Sequence, residues 1–213
     1  MYAYTIFFIE KPLFAGGGEM KKPWYEMTNE ELWLLFPVIL SPYDPEWDGW
    51  YREEENQLMK IIEKQSIVRI NHIGSTAVYG MTAKPTIDIL LEISTDTDTE
   101  ELVRKLEENG YIFTEQPDNP PPHMMLLKGY TEKGFAEKVY HLHIRYPGDW
   151  NELYFRDYLR RHKSVAHEYI QLKKKLIDSF RNDRDGYTEA KSEFIEKYTD
   201  LARKEFGGKY ACK

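Results

Sequence analysis

Asp88 stands near the start of an apolar run, Thr86 to Ile93, made largely of Ile and Leu. A carboxylate in such a run is rarely buried without something to satisfy it. Upstream, Gly74-Ser75-Thr76 closes another apolar run, Ile67 to Ile73, with three small residues. Small residues let main-chain N–H groups approach phosphate oxygens, and a carboxylate can hold a divalent ion. Lys84, between the turn and the acid, can meet a phosphate as a point charge. Further on, Lys138-Val-Tyr-His-Leu-His-Ile-Arg145 alternates strictly. Its period of two puts His141, His143 and Arg145 on one strand face and Tyr140, Leu142 and Ile144 on the other. Imidazole binds metals or moves protons near neutral pH, and guanidinium clamps phosphate or carboxylate through two N–H bonds. Each group also has a plainer reading: a tight turn at Gly74-Ser75, a surface Lys84, a solvated His-Leu-His face, and an Asp88 satisfied by loop amides.

The elements that must position these groups are visible in the pattern. Residues 67–73 and 86–93 read as two strands, with Gly80 and Pro85 keeping their connection irregular. Thr28-Asn-Glu-Glu31 reads as a capping box that opens a short helix, with a surface turn as the plainer reading. Asp44-Pro-Glu-Trp47 starts a longer one, with Pro45 at its first position and an end near Gln65. Asp98 with Glu101 caps a third, stopped by Asn109-Gly110. Strands are expected at 111–113, 124–128 and 138–145, with a proline-rich loop over 116–122. The remainder reads as helical. Asp149 caps one helix and Ser164 the next, whose Val165, Tyr169, Leu172, Leu176 and Phe180 share a face. Tyr187, Phe194, Tyr198 and Leu201 mark a third, ended by Gly207-Gly208. Arg156, Arg160, Lys173 and Lys191 fall on these helices and read mostly as solvated charges, while Tyr158, Tyr169 and Tyr187 read as core.

The predicted fold class is α+β: a mixed β-sheet with flanking helices and a C-terminal helical subdomain. Residues 1–27 read as a leader of doubtful structure, with Met20 or Met27 as an alternative start. Residues 28–147 form the α/β domain, 148–206 the helical subdomain packed on it, and 207–213 a tail.

The 213 residues carry a formal charge of −7 and no long basic block, which disfavours general DNA binding. The single cysteine, Cys212, permits no intrachain disulfide and fits a reducing, cytoplasmic setting. No apolar run is long enough for a membrane-spanning helix.

Gly74-Ser75 followed by Asp88 resembles the nucleotidyltransferase superfamily pattern, Gly-Ser and then Asp-x-Asp on the next strand. More narrowly, His72-Ile-Gly-Ser-Thr-Ala-Val, Ala83-Lys-Pro-Thr-Ile-Asp88, His141-Leu-His143 and Phe155-Arg-Asp-Tyr-Leu-Arg160 together resemble the GrpB family. Asp185-Gly-Tyr-Thr-Glu-Ala-Lys191 extends the likeness. The resemblance implies a nucleotidyltransferase-like sheet, a nucleotide or phosphorylated small molecule as ligand, and a divalent ion, Mg²⁺ or Mn²⁺. It implies Asp88, His141 and His143 as catalytic residues, Asp88 and His143 as metal ligands, and Gly74, Ser75, Thr76, Lys84 and Arg145 as phosphate-binding residues. One departure stands out. Leu90 occupies the place of the superfamily's second acid, and Glu92, on the same face, lies roughly 13 Å further along the strand. Two classes of function follow: metal-dependent nucleotidyl transfer, or a non-catalytic module that senses a nucleotide or docks a partner. A homodimer is left open.

Overall fold

A computed structural model of the protein describes residues 27–211. Its sheet has five strands: β1 (Ile67–Ile73), β2 (Ile87–Ile93), β3 (Ile112–Glu115), β4 (Met124–Thr131) and β5 (Gly134–Arg145). Their spatial order is β1-β2-β5-β4-β3. β2 and β5 pair in parallel, and the other neighbours are antiparallel. The central parallel register sets Asp88 beside His141, Leu90 beside His143 and Glu92 beside Arg145.

Alternation along β2 and β5 then separates two faces. Ile87, Ile89, Leu91 and Ile93, with Tyr140, Leu142 and Ile144, face the main core. There they meet Trp47 and Leu58 of α2 (Glu46–Ile61) and Leu102 and Leu106 of α3 (Thr99–Glu108). The opposite face carries Asp88, Leu90, His141 and His143. It is covered partly by α1 (Asn29–Leu35), whose Leu32 packs on Met125 and Leu127. The helices after the sheet cover the rest: α4 (Asn151–Arg161), α5 (Lys163–Phe180), α6 (Arg184–Glu189) and α7 (Ser192–Phe206). Leu153 of α4 packs against Ile73 and Leu90.

Local signals worked where they were strong. Thr28 and Glu31 make the capping box of α1, and Asp98 accepts from the Glu101 N–H at the start of α3. Gly207 ends α7. Other boundaries differ. Pro45 is the residue before the first turn of α2, which ends at Ile61; a separate single turn covers Lys64–Ser66. Trp150, not Asp149, precedes α4, because the Asp149 carboxylate accepts from Tyr154 Oη and pairs with Arg203. α5 begins at Lys163, so Ser164 lies inside its first turn. The expected third helix is two, α6 and α7. The proposed leader lies almost wholly, and Cys212 entirely, outside the described residues. Among the described residues no helix is long and apolar enough to cross a membrane.

Candidate functional site

Three side chains meet where β2 and β5 run side by side. Asp88 Oδ1 is 3.1 Å from His141 Nδ1 and 3.6 Å from His143 Nε2. Both imidazoles are buried, while 28% of the Asp88 side chain is exposed toward a cavity. The Gly74 turn approaches the carboxylate from β1. Gly74 has φ +71°, and a Cβ there would overlap Asp88 Oδ2.

A hydrogen-bonded chain fixes His141 from behind. Arg184 Nη2 donates to the Tyr130 hydroxyl oxygen at 2.9 Å, and the Tyr130 hydroxyl faces His141 Nε2 at 2.8 Å. One donor direction satisfies the whole chain: Arg184 to Tyr130, Tyr130 to His141 Nε2, and His141 Nδ1–H to Asp88. Burial lowers the His141 pKa to about 4 against the pull of Asp88, so the ring is neutral near pH 7. For Asp88 the balance runs the other way. Burial opposes its charge, yet hydrogen bonds from His141 and His143 outweigh it and hold the carboxyl well below the usual range.

The cavity beside this cluster has a volume of about 490 Å³. Gly74, Ser75, Thr76 and Lys84 line it with Asp88, His141 and His143. Four more cations line it that the sequence hid on helices: Lys173 of α5, Arg184 of α6, Lys191 just before α7, and Arg203 of α7, which pairs with Asp149. Lys173 donates to Ser75 Oγ at 3.0 Å and to the Thr82 carbonyl. The Tyr187 ring lies 4.2 Å from Lys191 Nζ and 6.0 Å from Lys84 Nζ. Tyr187 and Tyr169 are thus wall as well as core. Desolvation, with Arg184 nearby, lowers Lys84 to about 8. Burial, with Lys84 nearby, lowers Lys173 to about 7, and burial holds Lys191 well below its ordinary value. Asp149, Glu152, Glu196 and Asp200 line other parts of the wall, from the α4 approach and α7. The signal for Lys173 was its spacing: it falls four residues after Tyr169, on the buried stripe of α5.

Other expected residues serve the scaffold. Arg145 shares the histidines' face but does not line the cavity; its Nη1 donates to the Ile144 and Met124 carbonyls at 2.8 and 3.3 Å. The Thr76 hydroxyl is held between His72 Nε2 and the Thr86 carbonyl, each at 3.0 Å. Arg156 donates to the His72 carbonyl, and Arg160 makes two bonds to the Ala77 carbonyl, so α4 grips the turn by its backbone. Leu90 is sealed in an apolar cluster with Ile73 and Leu153. Glu92 is 1% exposed and fully engaged: it pairs with Arg69 and accepts from Gly148 N and Trp150 Nε1 at 3.0 Å. The sheet therefore offers the cavity one carboxylate from β2.

Comparison with known proteins places this arrangement in a family. The chain is 34% identical over 164 residues to the glutamate-rich protein GrpB of Alkalihalophilus pseudofirmus, covering 75% of this chain and 92% of that one. It is 32% identical over 176 residues to the UPF0157 protein YqkA of Bacillus subtilis, covering 80% of this chain but 49% of that one, so it spans about half of that relative's length. A dephospho-CoA kinase of Mycolicibacterium paratuberculosis is 27% identical over 177 residues, 73% of this chain and 43% of that one. The crystal structure of conserved protein GrpB from Enterococcus faecalis aligns with a TM-score of 0.67 at 28% identity, over 79% of this chain and 99% of that one. The model of the family described as GrpB protein matches residues 37–201, a span that holds Asp88, His141 and His143 with Lys84, Lys173, Arg184 and Lys191, and the chain belongs to the GrpB family.

Proposed function

We propose that the cavity binds a nucleotide or another phosphorylated small molecule together with a divalent ion, and that transfer of a nucleotidyl group is the reaction it supports. One observation carries this reading: Lys84, Lys173, Lys191 and Arg184 converge on a cavity whose β2 wall holds a single carboxylate. Buried ammonium groups destabilise a protein unless charge compensates them, and a phosphate chain supplies that charge. Gly74 and Ser75 present the turn to the phosphate, and Lys173 already reaches Ser75. Two histidines and a carboxylate suit a divalent ion, which would polarise a phosphoryl oxygen.

Two-ion transfer needs several carboxylates around ions about 3.5–4 Å apart. Leu90 is apolar and Glu92 is committed to Arg69, Gly148 and Trp150. Any transfer here thus rests on one ion site. The test is calorimetric titration of nucleoside triphosphates and inorganic pyrophosphate into the metal-free protein, with and without Mn²⁺. Binding that strengthens with Mn²⁺ and is lost in Asp88→Asn supports the reading. The absence of binding by every anion sinks it.

A further inference from the structure

We propose that Asp88, His141 and His143 form a two-imidazole, one-carboxylate site that takes a transition-metal ion such as Mn²⁺, Fe²⁺, Co²⁺ or Zn²⁺ in preference to Mg²⁺. This narrows the identity of the ion in the reading above, yet it stands on the side chains alone and needs no phosphate ligand.

The first argument is distance. One donor atom from each of the three residues lies within 4.8 Å of the other two. The two histidine-to-carboxylate separations are 3.1 and 3.6 Å. Donors held about 2.1 Å from a shared ion lie roughly 3.0–3.4 Å apart, so small rotamer shifts suffice to close the site. Among the described residues this is the one such grouping of three.

The second is rigidity. All three residues sit on paired central strands, with Asp88 opposite His141 and His143 two residues on. Donors on adjacent strands are held more accurately than donors on loops. The Gly74 turn leaves Asp88 Oδ2 uncovered by any side chain of its own, and the carboxylate opens to the cavity while the imidazoles are buried.

The third is donor chemistry. Mg²⁺ favours six oxygen ligands, and this sheet supplies one carboxylate with two nitrogens. Neither β2 position that could add an oxygen is available. Leu90 has none, and the Glu92 carboxylate is bound elsewhere. Imidazole nitrogens shift preference toward Mn²⁺, Fe²⁺, Co²⁺ and Zn²⁺.

The fourth is the group behind the ligand. A metal-bound histidine typically orients its other nitrogen against an acceptor. His141 Nε2 has the Tyr130 hydroxyl at 2.8 Å, itself held by Arg184. When an ion takes Nδ1, the ring proton moves to Nε2 and the Tyr130 oxygen accepts it, since that oxygen has two lone pairs.

The test uses tag-free, full-length protein stripped of metal and titrated with Co²⁺ alone, with no phosphate compound present. One Co²⁺ per chain should bind with visible absorption bands of nitrogen and oxygen ligation. Zn²⁺ should displace it, and Mg²⁺ should bind at least about 100-fold more weakly. His143→Gln and Asp88→Asn should each weaken Co²⁺ binding tenfold or more with an unchanged circular dichroism spectrum. Tyr130→Phe, which keeps all three donors, should weaken it about 10–100-fold. Paramagnetic shifts of the His141 and His143 ring protons in the wild-type protein give a readout independent of any variant's folding. Mg²⁺ binding as tight as Co²⁺, or unshifted histidine signals on saturation with Co²⁺, overturns the proposal. A nucleotide that fails to bind while Co²⁺ binds would reject the phosphate reading and leave this site standing.

Discussion

Gly74 and Asp88 pack so closely that the turn has room for hydrogen and nothing larger: a Cβ at position 74 would overlap Asp88 Oδ2. The backbone independently demands glycine, because φ is +71°. Gly74→Ala is therefore expected to cost about 1–3 kcal/mol of stability. It should also push the Asp88 carboxylate from its place between the histidines and weaken Co²⁺ binding. Urea denaturation and metal titration of the same variant check both effects; wild-type behaviour in both would mean the turn has slack.

Lys191 is buried, and its ammonium lies over the Tyr187 ring. Lys191→Met keeps the length of the side chain and removes a charge that burial disfavours. The ligand-free variant should be as stable as the wild type or more so, whereas affinity for a nucleoside triphosphate should fall about 10–100-fold, the range for a lost charge-assisted contact. A rise in melting temperature paired with a loss of affinity is the expected signature. Unchanged affinity would place the phosphate elsewhere.

Lys173 gives the pH dependence. Its pKa falls from 10.5 to about 7 on folding, chiefly through burial. Between those values the unfolded chain holds a proton that the folded chain has released, so this residue's contribution to stability rises with pH across the window. Its full cost appears below about pH 7, and the gain of Lys173→Met over wild type should shrink from pH 7 toward pH 10. A bound phosphate favours the protonated form, so ligand binding at pH 8 should take up protons. Calorimetry in two buffers of different ionisation enthalpy measures that uptake. A value of zero would show that the lysine does not meet the ligand.

Glu92→Gln separates scaffold from site. The substitution removes the charge facing Arg69, which keeps its bond to the Gly148 carbonyl, and weakens the contacts to Gly148 N and Trp150. Arg69 is partly exposed and glutamine still accepts a bond, so the cost is about 1–3 kcal/mol. Co²⁺ affinity at a temperature where the variant is folded should nevertheless match wild type, since Glu92 stands apart from the cluster. A large loss of metal affinity would make Glu92 part of the site.

Period and capping carried the local part of this protein. Alternation along 138–145 was enough to put His141 and His143 on one face, because a pleated strand points successive side chains to opposite sides whatever surrounds it. Thr28 with Glu31 and Asp98 with Glu101 marked helix starts because those bonds close within four residues. Asp149 misled because its carboxylate is already taken by Tyr154, five residues on in α4, and by Arg203 of α7, 54 positions away. Only the tertiary structure decided which residues share the site. Parallel pairing of β2 with β5 joins Asp88 to His141 across 53 positions of chain, a register set by long-range packing. Arg145 obeys the same parity as the histidines yet misses the cavity, because parity fixes a face and not the part of it that helices leave open. Lys173 and Lys191 look like solvated helix charges in isolation. They become cavity walls because α5, α6 and α7 fold back over the sheet; spacing sets Lys173 on the apolar stripe of α5, but it does not say that the stripe closes over a cavity.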